Sequence, residues 1–110
     1  MGLIDPKTLP AAEPKPGWHG RFFHSDHMTF AYYDIEAGAA LHAHSHPNEE
    51  VWHLIDGEAD VTLGDKTMHV GAGCAVVIPG GVTHSLAAKT TCRAIVVDYP
   101  VRREVAGIRI

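Results

Sequence analysis

Cysteine is nearly missing from this chain. Cys74 and Cys92 are the only two in 110 residues, and they form no C-x-x-C pattern. That is too few for a disulfide scaffold and the wrong spacing for a zinc ribbon, so free thiols in a reducing, cytoplasmic setting are expected. A basic surplus is missing too. Nine Lys and Arg stand against 13 Asp and Glu, a formal net charge of -4, which argues against nucleic acid or an anionic membrane surface as the partner. No apolar run approaches the roughly 20 residues of a membrane span. The opening MGLIDPKTLP lacks the basic and apolar regions of a signal peptide, and Pro6 interrupts the myristoylation pattern after Gly2. A sustained 3.6-residue period with helix caps is also absent, as are internal repeats and low-complexity tracts. These absences exclude a helical bundle and a solenoid.

What is present is strand-like. Hydrophobic residues make up 45% of the chain, enough for one core, and the length fits one domain. Residues 1–17 carry Pro6, Pro10, Pro14 and Pro16, so they read as an extended N-terminal arm rather than a helix. From residue 18 to 110, short β-branched and aromatic runs alternate with glycine-containing turns. Strands are expected at 18–24, 27–35, 50–55, 58–63, 66–70, 75–78 and 92–99. Closely spaced strands of this kind imply an all-β sandwich or barrel.

Nine histidines are many for this length, and three of them fall within LHAHSHPNEEVW, residues 41–52. In a strand, His42, His44 and His46 share one face. Imidazoles spaced in this way either solvate a surface strand or converge on a cation. A fourth, His84, follows a Pro-Gly-containing turn in GCAVVIPGGVTHS, residues 73–85, where glycine allows the tight bend that delivers it to a site fixed by other strands. Three imidazoles and a carboxylate suit one divalent transition metal per chain: iron, manganese, nickel, cobalt or zinc.

The two segments together resemble the cupins, small jelly-roll barrels also described as double-stranded β-helices. Gly38, His44, His46, Glu50 and Gly57 fit the first cupin motif, G-x5-H-x-H-x3-E-x6-G. Gly73, Pro79, Gly81 and His84 fit the second, G-x5-P-x-G-x2-H, although its terminal asparagine is Ala88 here. By this resemblance the metal ligands are His44, His46, Glu50 and His84. A frame built on His42, His44 and Glu49 fails, because it would require glycine where Glu36 and Asp56 stand. His42 then becomes a residue at the pocket mouth with a proton-transfer role, and Glu49 faces away. Trp52 and Leu54 share parity with Glu50 and are expected to line the substrate pocket. His53 takes the outer face. Phe22, Phe23, Phe30, Tyr32 and Tyr33 are assigned to the barrel mouth or a subunit contact, and Cys92 to the core. The facing of Asp98 and Tyr99 is left open, since VVDY is apolar on both parities.

Related cupins include dioxygenases, isomerases, lyases, decarboxylases and non-catalytic binders. The resemblance therefore implies a metal-dependent enzyme on a small oxygenated acid or hydroxycarbonyl compound, or else a small-ligand binding or sensing module with a structural or ligand-fixing metal. The arm, lying along a partner's exposed sheet edge, predicts a homodimer.

Overall fold

The computed structural model describes residues 2–110, and Met1 lies outside them. After a single 3-10 turn at Pro6–Thr8, the chain forms β1 (Ala12–Lys15), β2 (Trp18–His24), β3 (Thr29–Ile35), β4 (Ala40–His44), β5 (Glu49–Asp56) and β6 (Glu58–Leu63). It continues through β7 (Lys66–Gly71), β8 (Ala75–Ile78), β9 (His84–Ala88) and β10 (Cys92–Tyr99), and ends in the small hairpin of β11 (Glu104–Val105) and β12 (Ile108–Arg109). Two antiparallel sheets enclose the core. The larger runs β1-β2-β3-β10-β5-β8 and the smaller β4-β9-β6-β7, the jelly-roll arrangement of an all-β barrel.

Strand formation follows side-chain alternation. In β10, Cys92, Ala94, Val96 and Asp98 are buried, while Arg93 and Tyr99 are exposed. In β5, Glu50, Trp52 and Leu54 point inward, and Glu49 and His53 point out. Ile35, Ile78 and Val61 are almost wholly enclosed, and each such side chain stabilises the fold by about 1.5–3 kcal/mol. Trp18 meets Tyr33 edge-on, with ring centroids 5.2 Å apart. Between the sheets, one end of the barrel is dry and lined by Leu54, Val61, Val70, Val76 and Leu86 among others. The opposite end carries the polar groups.

Gly57, which joins β5 to β6, has φ 96° and no room for a side chain. A Cβ there would run into the Thr91 carbonyl and Cys92 Sγ. Both cysteines are free, Cys92 in the core and Cys74 at the surface.

The proline-spaced segment does more than extend. Ala12–Lys15 pairs with β2 as the edge strand of the chain's own large sheet, and the Arg21 guanidinium donates to the carbonyls of Lys7 and Leu9. The five early aromatics separate by parity. Phe22 and Tyr33 face the interior, edge-on to each other at 5.6 Å. Phe23 stacks on Phe30 and Tyr32 on the outside of the sheet. Among the described residues, no helix is long and apolar enough to cross a membrane.

Candidate metal centre

Simple alternation does not place the histidines. Leu41 of β4 pairs with Leu86 of β9, whereas His44 pairs with His84. Three steps on one strand therefore match two on the other, which is a β-bulge. The bulge absorbs the extra residue, so Leu41 and His44 both face inward despite their odd spacing. Leu41 is buried, while His42 is exposed. The same-face expectation for His42 fails for this reason. Its ring lies on the outer surface in a shallow depression shared with His44 and Lys15, and its main-chain carbonyl is what reaches the site.

That carbonyl accepts a 2.8 Å hydrogen bond from His44 Nδ1. The Val82 carbonyl does the same for His84 Nδ1, also at 2.8 Å. Each bond fixes the ring as the Nδ1–H tautomer and leaves the Nε2 lone pair directed at the centre. His46 lies beyond the end of β4 and is held by the turn carrying Pro79, Gly80 and Gly81. The Gly81 N–H donates 2.8 Å to the His46 carbonyl, and a Cβ on Gly80 would strike the carbonyl of Pro47. The three rings converge, with centroids 4.3 Å (His44–His84), 5.0 Å (His46–His84) and 5.7 Å (His44–His46) apart.

Glu50 completes the set from β5. One carboxylate oxygen lies 3.2 Å from His46 Nε2 and the other 3.8 Å from His84 Nε2. The Trp52 indole N–H donates to Glu50 Oε1 and fixes its orientation. Glu50 and His84 are 3% and 1% exposed. Both ring nitrogens of His46 and Nε2 of His84 are buried and make no well-aligned hydrogen bond, His46 Nε2 having only its 3.2 Å approach to Glu50. Orphaned buried lone pairs cost about 1–3 kcal/mol each, and here donor atoms of His44, His46 and His84 lie within 4.8 Å of one another. Neutral imidazoles plus a carboxylate, closely grouped and lacking other partners, fit a divalent transition metal. Burial lowers the His44 pKa, keeping that imidazole neutral and able to ligate.

Three further residues face this end of the barrel, none of them assigned to the site from the sequence. Asp98 is 4% exposed and sits beside Glu50 and His46. Arg102 donates to Glu50 Oε2 at 3.3 Å and lies 3.8 Å from Asp98 Oδ2. Thr29 Oγ1 anchors Arg102, accepting from its N–H at 2.9 Å and donating to its carbonyl at 3.1 Å. Burial, and then the Glu50 carboxylate, push Asp98 up to about 9. Burial also acts to raise Glu50, but His46, Asp98 and Arg102 outweigh it and bring Glu50 down to about 2. The two carboxyls are thus pushed in opposite directions, Asp98 toward its neutral form and Glu50 toward its charged one. Lys15, half-buried, enters from the edge strand.

Around these groups lies a small cavity, with about 30 Å³ open to the centre of a water-sized sphere, walled by Trp18, Phe22, Tyr33, Val96, Val105 and Ile110. Burial raises the Tyr33 phenol pKa further above its ordinary value. Trp52 lines this cavity as expected, whereas Leu54 lines the dry end instead. Ala88, standing where the motif has asparagine, is held by main-chain bonds alone: its N–H donates to the Ala39 carbonyl and its carbonyl accepts from the Gly38 N–H, both at 2.9 Å.

Known proteins resemble this chain in sequence or in fold. An uncharacterized protein of Streptomyces coelicolor is 31% identical over 68 residues, 62% of this chain and 65% of that protein, so the match spans just under two thirds of the relative's length. KdgF from a Halomonas species superposes with a TM-score of 0.85 at 18% identity, covering 93% of this chain and 96% of its own. Oxalate decarboxylase of Bacillus subtilis gives 0.78 at 21% identity, over 91% of this chain and 31% of that one. At such identities the two solved structures establish the fold alone. Residues 31–98 match the family described as the cupin domain, more than half of the chain, and with both motifs meeting at one buried centre this protein belongs to the cupins.

Proposed function

We propose that this cupin is a metal-dependent enzyme acting on a small oxygenated organic acid. The observation that carries the reading is the set of buried imidazole nitrogens beside Glu50 that make no well-aligned hydrogen bond, facing a cavity that also holds Arg102. His44, His46, Glu50 and His84 would hold one divalent ion. Bound there, it would supply a Lewis acid for an oxygen donor. The chain's own residues prepare the site. Carbonyls of His42 and Val82 set the ring tautomers. Trp52 and Arg102 hold the two oxygens of Glu50 in place. The walls of Trp18, Phe22 and Tyr33 exclude bulk water and strengthen every charge interaction inside.

Positive charge at the cavity favours an anionic substrate, and the small volume limits its size. An oxalate-processing enzyme among proteins of this fold is consistent with that class. Whether the chemistry is of dioxygenase, isomerase or lyase type follows from the metal, because redox steps need iron, copper, manganese or nickel, whereas isomerisation and elimination also run on zinc.

The test is a metabolite screen, aerobic and anaerobic, of protein loaded separately with iron, manganese, nickel, cobalt and zinc. Oxalate, malonate, 2-oxo acids and sugar acids are supplied, and the visible spectrum of the cobalt form reports direct coordination. Turnover of an acid by one metal form is the expected result. Full metal occupancy with no turnover and an unchanged cobalt spectrum would favour the non-catalytic binder.

A further inference from the structure

We propose that Lys15, delivered by the edge strand β1, is the residue that holds the distal carboxylate of a dianionic substrate. This rests on the reading of the site given above and adds both a recognition residue and a ligand class. Two cationic side chains line the cavity, and their circumstances differ. Arg102 is occupied, paired to Glu50 and close to Asp98. Lys15 is half-buried in the same cavity, near enough to Arg102, Glu50 and His44 for their charges to act on it, yet it makes no ion pair among the described residues.

A partly desolvated ammonium without a counter-ion is unfavourable unless a ligand supplies one. Burial, and then repulsion from Arg102, lower the Lys15 pKa, as expected of a cation lacking an anion. Lys15 pairs in the backbone ladder with Trp18, a wall of the cavity, so its stem leaves from a fixed point at the rim. Lys15 and the ligand His44 line the same cavity, near enough for the ammonium to act on the ring. A short dicarboxylate offers one carboxylate to the metal held by the imidazoles and a second to the ammonium. A monocarboxylate would engage only one of the two.

The experiment is calorimetric titration of the cobalt-loaded full chain with malonate and with acetate. Lys15→Gln is expected to weaken malonate binding about tenfold or more while changing acetate binding by less than about twofold. Lys15→Arg, which keeps the charge, should retain most of the malonate affinity. Unchanged malonate affinity in Lys15→Gln overturns this proposal alone, and means that the ammonium turns to solvent. Failure of the unsubstituted cobalt protein to bind either anion overturns both this proposal and the reading beneath it.

Discussion

Gly80→Ala should damage the metal centre more than the fold. Gly80 has an ordinary backbone conformation, so alanine costs nothing through φ. The obstacle is steric, since the added Cβ would overlap the Pro47 carbonyl oxygen, with Pro47 C also close at 3.2 Å. Reaching ordinary contact requires the carbonyl to retreat by about 1 Å. That carbonyl belongs to the exposed loop just after His46, which can yield, so the cost to folding should stay within about 1–3 kcal/mol. The ligand set is less forgiving, because metal–ligand distances tolerate only about 0.2 Å. Displacing one imidazole should therefore weaken metal binding about 10–100-fold, the range seen when groups supporting a ligand are lost. Gly81→Ala is the control. Its Cβ meets nothing within 4 Å, but its φ is 81°, so it should cost about 1–2 kcal/mol of stability and spare metal affinity comparatively. Chelator competition with zinc measures the first quantity and urea unfolding the second. Equal metal affinity in Gly80→Ala and the unsubstituted protein would refute the steric argument.

Metal at a hundredfold excess over its Kd should stabilise the fold by about 2.7 kcal/mol, a rise in Tm of about 10–20 °C; scanning calorimetry should show it for the unsubstituted chain and not for His84→Ala. Trp52→Phe removes the only indole donor to Glu50 and should cost about 1.5–3 kcal/mol in urea unfolding, so a change under about 0.5 kcal/mol would show that the bond contributes little. Asp98, raised to about 9, contributes its stability fully below its ordinary value of 3.8 and loses it as pH rises through about 9. Glu50, lowered to about 2, contributes above its ordinary 4.5 and loses that as pH falls through about 2. Metal-free protein should thus become easier to unfold from pH 5 to pH 9, and Asp98→Asn should flatten the trend.

Much of this was legible in the sequence, and the omissions have physical reasons. The runs at 18–24, 58–63, 75–78 and 92–99 coincide with strands because period-2 burial is written directly into side-chain type. The expected ligands His44, His46, Glu50 and His84 do converge, but the spacing that pointed to them works through a bulge and a turn rather than through alternation along one strand. Asp98 was ambiguous because its strand is apolar on both sides, and only pairing with β5, opposite Glu50, fixes its direction. Lys15 was hidden by its prolines. Pro14 and Pro16 suggest an arm free of the barrel, yet the residue between them still enters the ladder opposite Trp18. Leu54 shares the parity of Trp52 but stands one pleat farther from the histidines, and parity cannot tell one end of a barrel from the other.

The bulge in β4 makes the centre a matter of counting. Between Leu41 and His44 the strand carries one residue more than its neighbour, and the bulge takes up that surplus so that the imidazole still faces Glu50. With Ala43 kept and the bulge straightened, alternation would swing His44 out to solvent; with Ala43 deleted, two steps would oppose two and the imidazole would stay inside. The direction of this ligand is therefore set by residue count and bulge together, not by the identity of the residue inserted. A barrel of this kind can lengthen or shorten its ligand strand and keep both its sheets and its centre, provided that the bulge keeps pace.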